Sequence, residues 1–302
     1  MTGSVTGSVT GSVREVAVRA AKRLADAGVE ASLHDAEQLL AWVLGTSRSG
    51  LLEAPPPDRG QVAAYEHAVS RRATREPLQH ITGRAGFRYL DLQVGPGVFV
   101  PRPETEVMTG IAVHELRRLV AAGVTGPVVV DLCAGSGAVA VSLATEVPAA
   151  QVTAVERSAV ACAYAERNAA GHGVDVRLGD IADGADDLAG KVHVVTANPP
   201  YIPLSAFESV ATEARDFDPP EALWAGLDGL DVVRLVASVA GGLLQDGGLV
   251  ACEHSDVQGD SVPEIFADTG QWSQVRDHCD LSSRPRFVTA RRVPRCADVL
   301  AR

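Results

Sequence analysis

The sequence predicts an α/β fold, built on a mostly parallel, seven-stranded sheet with helices on both faces. From Pro103 to the end of the chain, apolar runs typical of buried strands alternate with helical patterns, and such alternation produces parallel sheets. At 128–138 an apolar run passes directly into a turn of small residues and then a helix. At 192–200 another apolar run ends on two prolines. Both features indicate ligand-binding residues at the carboxyl edge of the sheet.

The elements of this domain, residues 101–302, follow in order along the chain. Each strand is a short apolar run, and each helix carries apolar residues three and four positions apart. The last two strands can pair as an antiparallel edge. The predicted strands are 128–132, 152–155, 174–178, 192–197, 249–253, 274–279 and 287–291, and the predicted helices are 104–121, 138–145, 159–170, 230–244 and 263–269.

Three segments precede this domain. Residues 1–13 repeat Thr-Gly-Ser-Val and offer too little apolar surface to order themselves, so we expect a disordered leader. Residues 14–75 show three helical patterns, which predict a small N-terminal helical bundle. Residues 76–100 are punctuated by Gly and Pro and predict a β-hairpin linker, in which 78–82 pairs with 89–94.

The net charge of the chain argues against one class of binding partner. A formal net charge of −11 over 302 residues argues against a protein that holds nucleic acid through a broad basic surface. One basic cluster stands out around the predicted linker, and it is a candidate surface for a negatively charged partner, the alternative being an ordinary solvated face. The cluster consists of Arg71, Arg72, Arg75, Arg84 and Arg88.

The cysteines and the apolar stretches indicate the cellular compartment of the protein and the kinds of site that it lacks. The five cysteines form no C-x-x-C pair and are odd in number, so we expect neither a disulfide framework nor a metal site, and reduced thiols in a cytoplasmic protein. No N-terminal apolar segment resembles a secretory signal. The apolar stretch 128–144 is interrupted by Asp131, Gly135 and Gly137 and is too broken to span a membrane, so we expect no membrane association.

The turn after the first predicted strand has the chemistry of a nucleotide-type site. Small residues let the backbone approach a ligand, and the following helix offers free N–H groups. Glu156 ends the next strand, where a carboxylate can accept hydrogen bonds from ribose hydroxyls. A dinucleotide or S-adenosylmethionine would fit; Asp131, suited to an ammonium group, and the missing Gly-x-Gly-x-x-Gly favour the latter. A plain strand–helix turn is the alternative. The candidate cofactor residues are Asp131, Cys133, Ala134, Gly135, Ser136, Gly137 and Glu156.

The third and fourth strands deliver further candidates. Asp180 and Ile181 follow the third strand, at the position that faces an adenine ring in such folds; Asp180 can instead cap a helix. The fourth strand ends in Asn198, Pro199, Pro200 and Tyr201, and Asn198 also borders the cofactor site.

The Asn-Pro-Pro-Tyr residue types suit methyl transfer to a planar nitrogen. The lone pair of an amide or aromatic amine nitrogen is delocalised, and the nitrogen becomes reactive when acceptors hold both of its hydrogens. The Asn198 side-chain oxygen and the Pro199 carbonyl are such acceptors, and the prolines stiffen the backbone that aims them. Tyr201 supplies a flat face for the target group. Catalysis would then rest on positioning, without a metal or a strong base. A strand that merely ends on prolines is the alternative.

These residues resemble a known family. Gly135, Gly137, Glu156, Asp180 and the Asn198–Tyr201 tip, in this order, resemble the Asn-Pro-Pro-Tyr class of S-adenosylmethionine-dependent methyltransferases, which act on DNA adenine, RNA guanine or protein glutamine. Residues 98–106, Val-Phe-Val-Pro-Arg-Pro-Glu-Thr-Glu, are similar to the signature of the HemK/PrmC family. That resemblance covers nearly all of 14–292 and implies a Rossmann-like class I methyltransferase domain.

The resemblance also implies an activity and a partner. HemK/PrmC enzymes transfer a methyl group from S-adenosyl-L-methionine to the glutamine side chain (N5) of the Gly-Gly-Gln motif in class-1 peptide chain release factors, the proteins of translation termination. By resemblance, 14–75 and the arginine-rich linker would dock the release factor body, with no stable nucleic-acid complex. The loop 99–106 would cover the pocket, or simply cap the following helix; its candidate contacts are Phe99, Arg102, Thr105 and Glu106.

Two departures and two rivals accompany this interpretation. Cys133 stands where the family has the first glycine of its turn, and His80 where a tyrosine is commoner. The first rival function is methylation of an adenine or guanine amino group in nucleic acid, which needs the same tip. The second is a catalytically silent scaffold that binds the cofactor, which the complete Asn-Pro-Pro-Tyr tip disfavours.

Overall fold

The structure, a computed structural model, describes residues 12–295. These residues divide into two compact units: one contains the described residues up to Gly83 together with Thr212–Phe217, and the other contains Arg84–Ala211 and the chain from Asp218 onward. Within 12–295, no helix has both the length and the apolar character needed to cross a membrane. The same residues contain no cluster of three or more His, Cys, Asp or Glu side chains arranged for a metal ion.

The helices and strands alternate through most of the chain. Short 3₁₀ turns link several of them. The helices are α1 (Val13–Asp26), α2 (Ser32–Leu44), α3 (Arg59–Ala73), α4 (Leu78–Thr82), α5 (Thr105–Ala121), α6 (Ala138–Glu146), α7 (Ala159–Ala169), α8 (Thr212–Phe217), α9 (Asp231–Leu243) and α10 (Ser261–Asp268). The strands are β1 (Arg84–Phe87), β2 (Leu90–Gln93), β3 (Val128–Leu132), β4 (Gln151–Glu156), β5 (Val174–Leu178), β6 (Val192–Ala197), β7 (Leu244–Glu253), β8 (Trp272–Cys279) and β9 (Pro285–Arg292).

The helical unit contains α1 to α4 and α8. Ser12 caps α1, since its hydroxyl accepts from the Glu15 N–H while the Glu15 carboxylate accepts from the Ser12 N–H. The predicted disordered leader is therefore wrong at its last two residues, which begin a capped helix; 1–11 lie outside the described residues. Leu24, Leu39 and Leu40 are fully buried in the core of this unit.

The predicted hairpin was wrong in its first strand: residues 78–82 form the helix α4. These residues form a turn of helix because the Pro77 carbonyl accepts from the N–H groups of His80 and Ile81, and Gly83 ends it in a left-handed conformation. The hairpin is formed instead by β1 and β2, with Phe87 opposite Leu90. The hairpin was expected in this region, but its first strand lies after Gly83.

The arginines of the cluster are ion-paired, which favours the alternative of an ordinary solvated face; docking of a negatively charged partner there stays a prediction. Carboxylates already pair with all five members of the cluster, so that their charges are neutralised locally. Arg71 pairs with Glu76, Arg72 with Asp35 and Glu213, Arg75 with Glu213, Arg84 with Asp91, and Arg88 with Glu146.

The second unit is built on the predicted seven-stranded sheet, with strand order β5-β4-β3-β6-β7-β9-β8. The strands β3 to β7 run parallel to one another, whereas β9 runs antiparallel to both β7 and β8. The alternation of side chains along β3 serves two cores: Val129 packs with α5 and α6, and Val130 packs with α9 and α10. Helices thus cover both faces, as the sequence predicted.

The strand order fixes where a ligand can bind. From β3 the chain proceeds outward through β4 and β5, and then returns to β6 on the other side of β3. The carboxyl ends of β3 and β6 therefore lie at a topological switch point, the position at which open α/β sheets bind ligands. Leu132 at the end of β3 is in register with Ala197 at the end of β6. The predicted cofactor turn and the Asn198–Tyr201 tip consequently leave the sheet side by side.

Candidate active site

The turn between β3 and α6 depends on left-handed backbone conformations. Gly135 and Gly137 have φ values of +56° and +81°, and Cys133 has a φ of +60°. A Cβ on Gly137 would lie 3.3 Å from the Ala165 Cα atom, whereas a Cβ on Gly135 would meet nothing within 4 Å. Gly137 is therefore needed for packing against α7, and Gly135 borders open space. Cys133 adopts a conformation that costs a residue with a Cβ about 1–2 kcal/mol, which explains the glycine expected there.

Glu156 is bonded to this turn from the end of β4. Its carboxylate accepts from the Gly135 N–H at 2.8 Å and from the Ser158 N–H at 2.7 Å. Each carboxylate oxygen has a further lone pair, so Glu156 can still accept from a ligand hydroxyl. The side chain is buried. Glu156 thus shapes the turn in addition to the ribose-binding role that its sequence position predicts.

Two other residues of the turn, Ala134 and Ser136, form backbone hydrogen bonds to neighbouring elements. The Ala134 N–H donates to the Val155 carbonyl, and the buried Ser136 provides a carbonyl that accepts from the Asn168 side chain at 2.9 Å. The same Asn168 amide exchanges two hydrogen bonds with the backbone of Gln93 on β2. Asn168, which sequence reasoning missed, therefore connects the hairpin to the turn.

Asp131 carries an unpaired buried oxygen. Its Oδ1 accepts from the Thr196 hydroxyl at 2.7 Å, but its Oδ2 is buried without a hydrogen-bond partner among the described residues. Burial raises the pKa of Asp131 to about 7, against the lowering effect of the Thr196 hydrogen bond. An acceptor of this kind suits a cationic donor such as an ammonium group, because a buried acceptor without a partner is costly.

Asp180 and Ile181 follow β5 as predicted. The exposed Asp180 carboxylate accepts from the Ala182 N–H at 2.9 Å, which is the capping alternative considered for it. Ile181 is buried and packs in the core cluster that contains Val155 and Ala185. Their contact with an adenine ring stays a prediction.

The Asn198–Tyr201 tip is joined to two other elements by a polar network. The Asn198 amide nitrogen donates to the Thr105 hydroxyl at 3.1 Å, and that hydroxyl donates to Oε2 of Glu253 at 2.6 Å. The Tyr201 hydroxyl donates to Oε1 of the same carboxylate at 3.1 Å. Thr105 begins α5 and Glu253 ends β7. The backbone carbonyl of Tyr201 also accepts from the Gln258 side chain at 2.9 Å.

Glu253 is a second residue that the sequence analysis did not assign to the site. It is only 1% exposed, and burial raises its pKa to about 7, although the hydrogen bonds from Thr105 and Tyr201 act in the opposite direction. The available signal was that Glu253 ends the predicted strand 249–253, at the carboxyl edge of the sheet. The structure adds the register of Ala197 with Cys252, which places Glu253 beside Asn198. That register could not be read from the sequence.

The loop 99–106 contributes in three different ways. Thr105 joins the polar network. Arg102 lies over the Phe99 ring, 4.9 Å from its centroid, and pairs with the fully buried Asp218 side chain at 2.8 Å. The Glu106 carboxylate accepts from the Arg88 N–H at 2.9 Å. Glu106 therefore secures the turn of the hairpin, an arrangement that the sequence did not indicate.

The arrangement fits the predicted cofactor at the carboxyl edge of the sheet. Gly135 borders open space, Glu156 presents a fixed carboxylate, and Asp131 has an unpaired buried oxygen. Gly135 would let the backbone approach S-adenosylmethionine, Glu156 would accept from its ribose hydroxyls, and Asp131 would face its ammonium group. The Asn198–Tyr201 tip, beside this turn, offers acceptors for a planar nitrogen.

Comparison with known proteins agrees with this geometry. Residues 15–83 match the PrmC N-terminal domain, and residues 79–214 match the methyltransferase small domain. A release factor glutamine methyltransferase from Streptomyces coelicolor is 52% identical over 91% of this chain and 96% of its own length. A release factor glutamine methyltransferase from Mycolicibacterium smegmatis is 45% identical over 90% of this chain and 95% of its own length.

A relative named for a different activity also matches. A 4-amino-L-phenylalanine/4-methylamino-L-phenylalanine methyltransferase from Streptomyces pristinaespiralis is 46% identical over 78% of this chain and 76% of its own length. The matches to release factor enzymes extend over nearly the whole chain and include the N-terminal helical domain. From the sheet, the cofactor turn, the Asn-Pro-Pro-Tyr tip and these similarities together, we conclude that this chain belongs to the release factor glutamine methyltransferase family.

Proposed function

We propose that this protein transfers a methyl group from S-adenosyl-L-methionine to the side-chain amide nitrogen of the glutamine in the Gly-Gly-Gln motif of a class-1 release factor. The observation that carries the proposal is 52% identity over 91% of the chain to a release factor glutamine methyltransferase. The polar network that fixes Asn198 beside the cofactor turn supports it. The helical unit would dock the release factor body, a role supported by its match to the PrmC N-terminal domain.

The tip residues perform the chemistry by positioning. The Asn198 side-chain oxygen and the Pro199 carbonyl accept the two amide hydrogens, which draws the nitrogen lone pair out of conjugation. The consecutive prolines keep those acceptors in place, and Tyr201, held by its bond to Glu253, supports the flat face of the amide. The bound cofactor supplies an electrophilic sulfonium methyl group. The nitrogen releases its proton after transfer, so the tip needs no strong base.

Labelling with radioactive S-adenosylmethionine tests the assignment. A release factor should gain label, and its Gln→Ala variant in Gly-Gly-Gln should gain none. Equal labelling of both would refute the proposal. Asn198→Ala should abolish transfer while cofactor affinity stays within about threefold; a loss of cofactor binding instead would contradict the role of Asn198 as an acceptor for the substrate.

A second candidate function follows from the 46% identity to the 4-amino-L-phenylalanine methyltransferase. An aromatic amine presents a planar nitrogen with two hydrogens, which the same acceptors would hold. Free 4-amino-L-phenylalanine in the labelling assay separates the two functions, because label on this amino acid but not on the release factor would favour the second.

A nucleic-acid substrate is a further rival. The net charge of −11 and the pairing of all five clustered arginines with carboxylates support a protein that forms no stable nucleic-acid complex. DNA and RNA added to the same assay should stay unlabelled. Labelled adenine or guanine would revive this rival.

A further inference from the structure

The hydroxyl of Thr105 determines the direction of the polar network. A threonine hydroxyl has a single hydrogen to donate. An ionised carboxylate can only accept, so the Thr105 hydrogen lies in the 2.6 Å bond to Glu253. Toward Asn198, at 3.1 Å, the Thr105 oxygen can then only accept. The atom of Asn198 that faces Thr105 must therefore be its nitrogen.

That direction decides which end of the Asn198 amide remains for a substrate. With the nitrogen turned toward Thr105, the oxygen lies on the opposite side of the Cβ–Cγ bond, and Asn198 is partly exposed. A flipped amide would present its NH₂ group, which repels the hydrogens of a substrate amide. An Asn side chain is nearly symmetrical in shape, so packing alone does not choose between the two orientations; the hydrogen-bond partner does.

We propose that Glu253 is a positioning residue which, through Thr105, holds the Asn198 amide with its oxygen facing the substrate nitrogen. The proposal rests on the proposed function, because it gives Asn198 the role of acceptor in methyl transfer. Glu253 touches neither substrate nor cofactor in this scheme. Its carboxylate makes the Thr105 hydroxyl a donor toward Glu253. The Thr105 oxygen is then left to accept from the Asn198 nitrogen.

Only a carboxylate satisfies both of its neighbours. Oε2 accepts from Thr105 and Oε1 accepts from Tyr201. A glutamine in the same place has one acceptor and one NH₂ donor, so it can accept from only one of these hydroxyls. If its NH₂ group faced Thr105, the Thr105 hydrogen would turn toward Asn198 and favour the flipped amide. The chemistry of the position therefore distinguishes Glu253 from its isosteric amide.

Opposing effects act on the ionisation of Glu253. Burial opposes ionisation and raises its pKa to about 7, while the bonds from Thr105 and Tyr201 and the positive charge of Arg286 on β9 favour the carboxylate, and Glu104 disfavours it. Protonation would give one carboxyl oxygen a hydrogen and would compete with the donors. The orienting effect should therefore weaken as the pH falls below about 7.

Nuclear magnetic resonance can observe this orientation without a substrate, because Asn168 and Asn198 are the only asparagines in the chain. Labelling with ¹⁵N-asparagine gives two side-chain NH₂ groups. The Asn168 group donates to the carbonyls of Gln93 and Ser136 and serves as an internal reference. In the full chain with S-adenosylhomocysteine, we expect Glu253→Gln and Thr105→Val to shift the Asn198 signals and leave those of Asn168 in place. Unchanged Asn198 signals in both variants would overturn the proposal.

The kinetic arm uses release factor labelling. Glu253→Gln and Thr105→Val should each lower kcat about 10- to 100-fold while cofactor Kd stays within about threefold, and Thr105→Ser, which retains the hydroxyl, should recover most of the loss. The matched control is Glu115→Gln, since Glu115 is also buried but bonds Arg118 and Arg291. It should lower stability and leave kcat near that of the wild type. Equal kcat losses in Glu115→Gln and Glu253→Gln would overturn the proposal.

The double variant decides whether Glu253 acts through Thr105. If it does, the loss in Glu253→Gln/Thr105→Val falls short of the product of the two single losses. Fully multiplicative losses would overturn the proposal. Failure of the proposed function looks different: the wild type would bind cofactor yet leave the release factor unlabelled, while the ¹⁵N comparison would still decide the positioning role.

Discussion

The Thr196 hydroxyl donates a 2.7 Å hydrogen bond to Oδ1 of Asp131, and it does so between the two strands that flank the switch point of the sheet. The bond satisfies one carboxylate oxygen and aims the other, Oδ2, into a buried position without a partner among the described residues. A carboxylate held in this way is a costly feature for the ligand-free protein. The ammonium group of a bound S-adenosylmethionine would give this oxygen the donor that it lacks.

Replacing this carboxylate by an amide should separate stability from binding. We expect Asp131→Asn to weaken cofactor binding at least about tenfold, because the ammonium group loses its charged acceptor. The ligand-free variant should be more stable than the wild type at pH 8, by about 1–3 kcal/mol, because a buried charge is removed. Calorimetric titration and urea unfolding measure the two effects. A variant with unchanged cofactor affinity would contradict the assigned role.

The difference in stability between Asp131→Asn and the wild type should depend on pH in a defined direction. The pKa of Asp131 is raised in the folded state, from 3.8 to about 7, so the folded protein takes up a proton that the unfolded chain does not. Its unfavourable contribution is present above pH 7 and is relieved as the pH falls from about 7 toward 4. The stability advantage of Asp131→Asn should shrink over this range. Glu253 titrates in the same range, but it is common to both proteins and cancels in the comparison.

Substitutions of Cys133 should report the strain in the cofactor turn. With a φ of +60°, the position is poorly suited to a β-branched residue. We expect Cys133→Val to lower the free energy of unfolding by about 1–3 kcal/mol. Cys133→Gly, which removes the strain but loosens the unfolded chain, should stay within about 1 kcal/mol of the wild type. Urea unfolding of both variants checks the order; a valine variant as stable as the glycine variant would refute the role of strain.

The pair of Arg102 and Asp218 provides a test of the loop 99–106. Arg102→Ala leaves the fully buried Asp218 carboxylate without its cation, and we expect a loss of about 1–3 kcal/mol at pH 8. Burial already raises the pKa of Asp218 to about 6, against the lowering effect of Arg102, so the loss should be smaller at pH 5, where this carboxyl is protonated. The double variant with Asp218→Asn should recover stability at pH 8. Equal losses at both pH values would argue against an electrostatic cause.

The carboxylate of Glu213 is expected to stabilise the helical unit. Burial opposes its ionisation, but hydrogen bonds from Arg75 and Arg72 outweigh this and lower its pKa to about 2. The stabilisation is complete above the unfolded value of 4.5 and is lost as the pH falls toward 2. Glu213→Gln should cost about 1–2 kcal/mol at pH 7 and much less at pH 2.5. The exposed Glu208 offers a control, and Glu208→Gln should change stability by less than about 0.5 kcal/mol.

The strongly patterned elements could be predicted from the sequence. The predicted strands 128–132 and 192–197 coincide with β3 and β6, because apolar runs bounded by glycine or proline admit few other structures. The helix at 78–82 was mistaken for a strand, since five residues are too few to show a period. The residues at the two ends of this segment favour the helix: Pro77 precedes its first residue and Gly83 ends it.

Pairing between distant residues could not be predicted. The sequence left open whether the arginine cluster is a basic docking surface or a solvated face, because Glu213 lies 141 residues from Arg72 and 138 from Arg75. Glu146 lies 58 residues from Arg88. Charge counts along the chain do not show which carboxylate folds against which arginine, because that depends on how the elements pack.

The sequence by itself determined the fold class, the cofactor turn with its glycines, and the Asn198–Tyr201 tip, because each is encoded in contiguous residues whose backbone preferences are local. Only the tertiary structure decided how the tip is held. Thr105 at the start of α5 and Glu253 at the end of β7 are 148 residues apart, yet they share a 2.6 Å hydrogen bond. The order of strands in the sheet brings them to Asn198, and hydrogen-bond direction, which requires those atoms in contact, determines which side of its amide remains for a substrate.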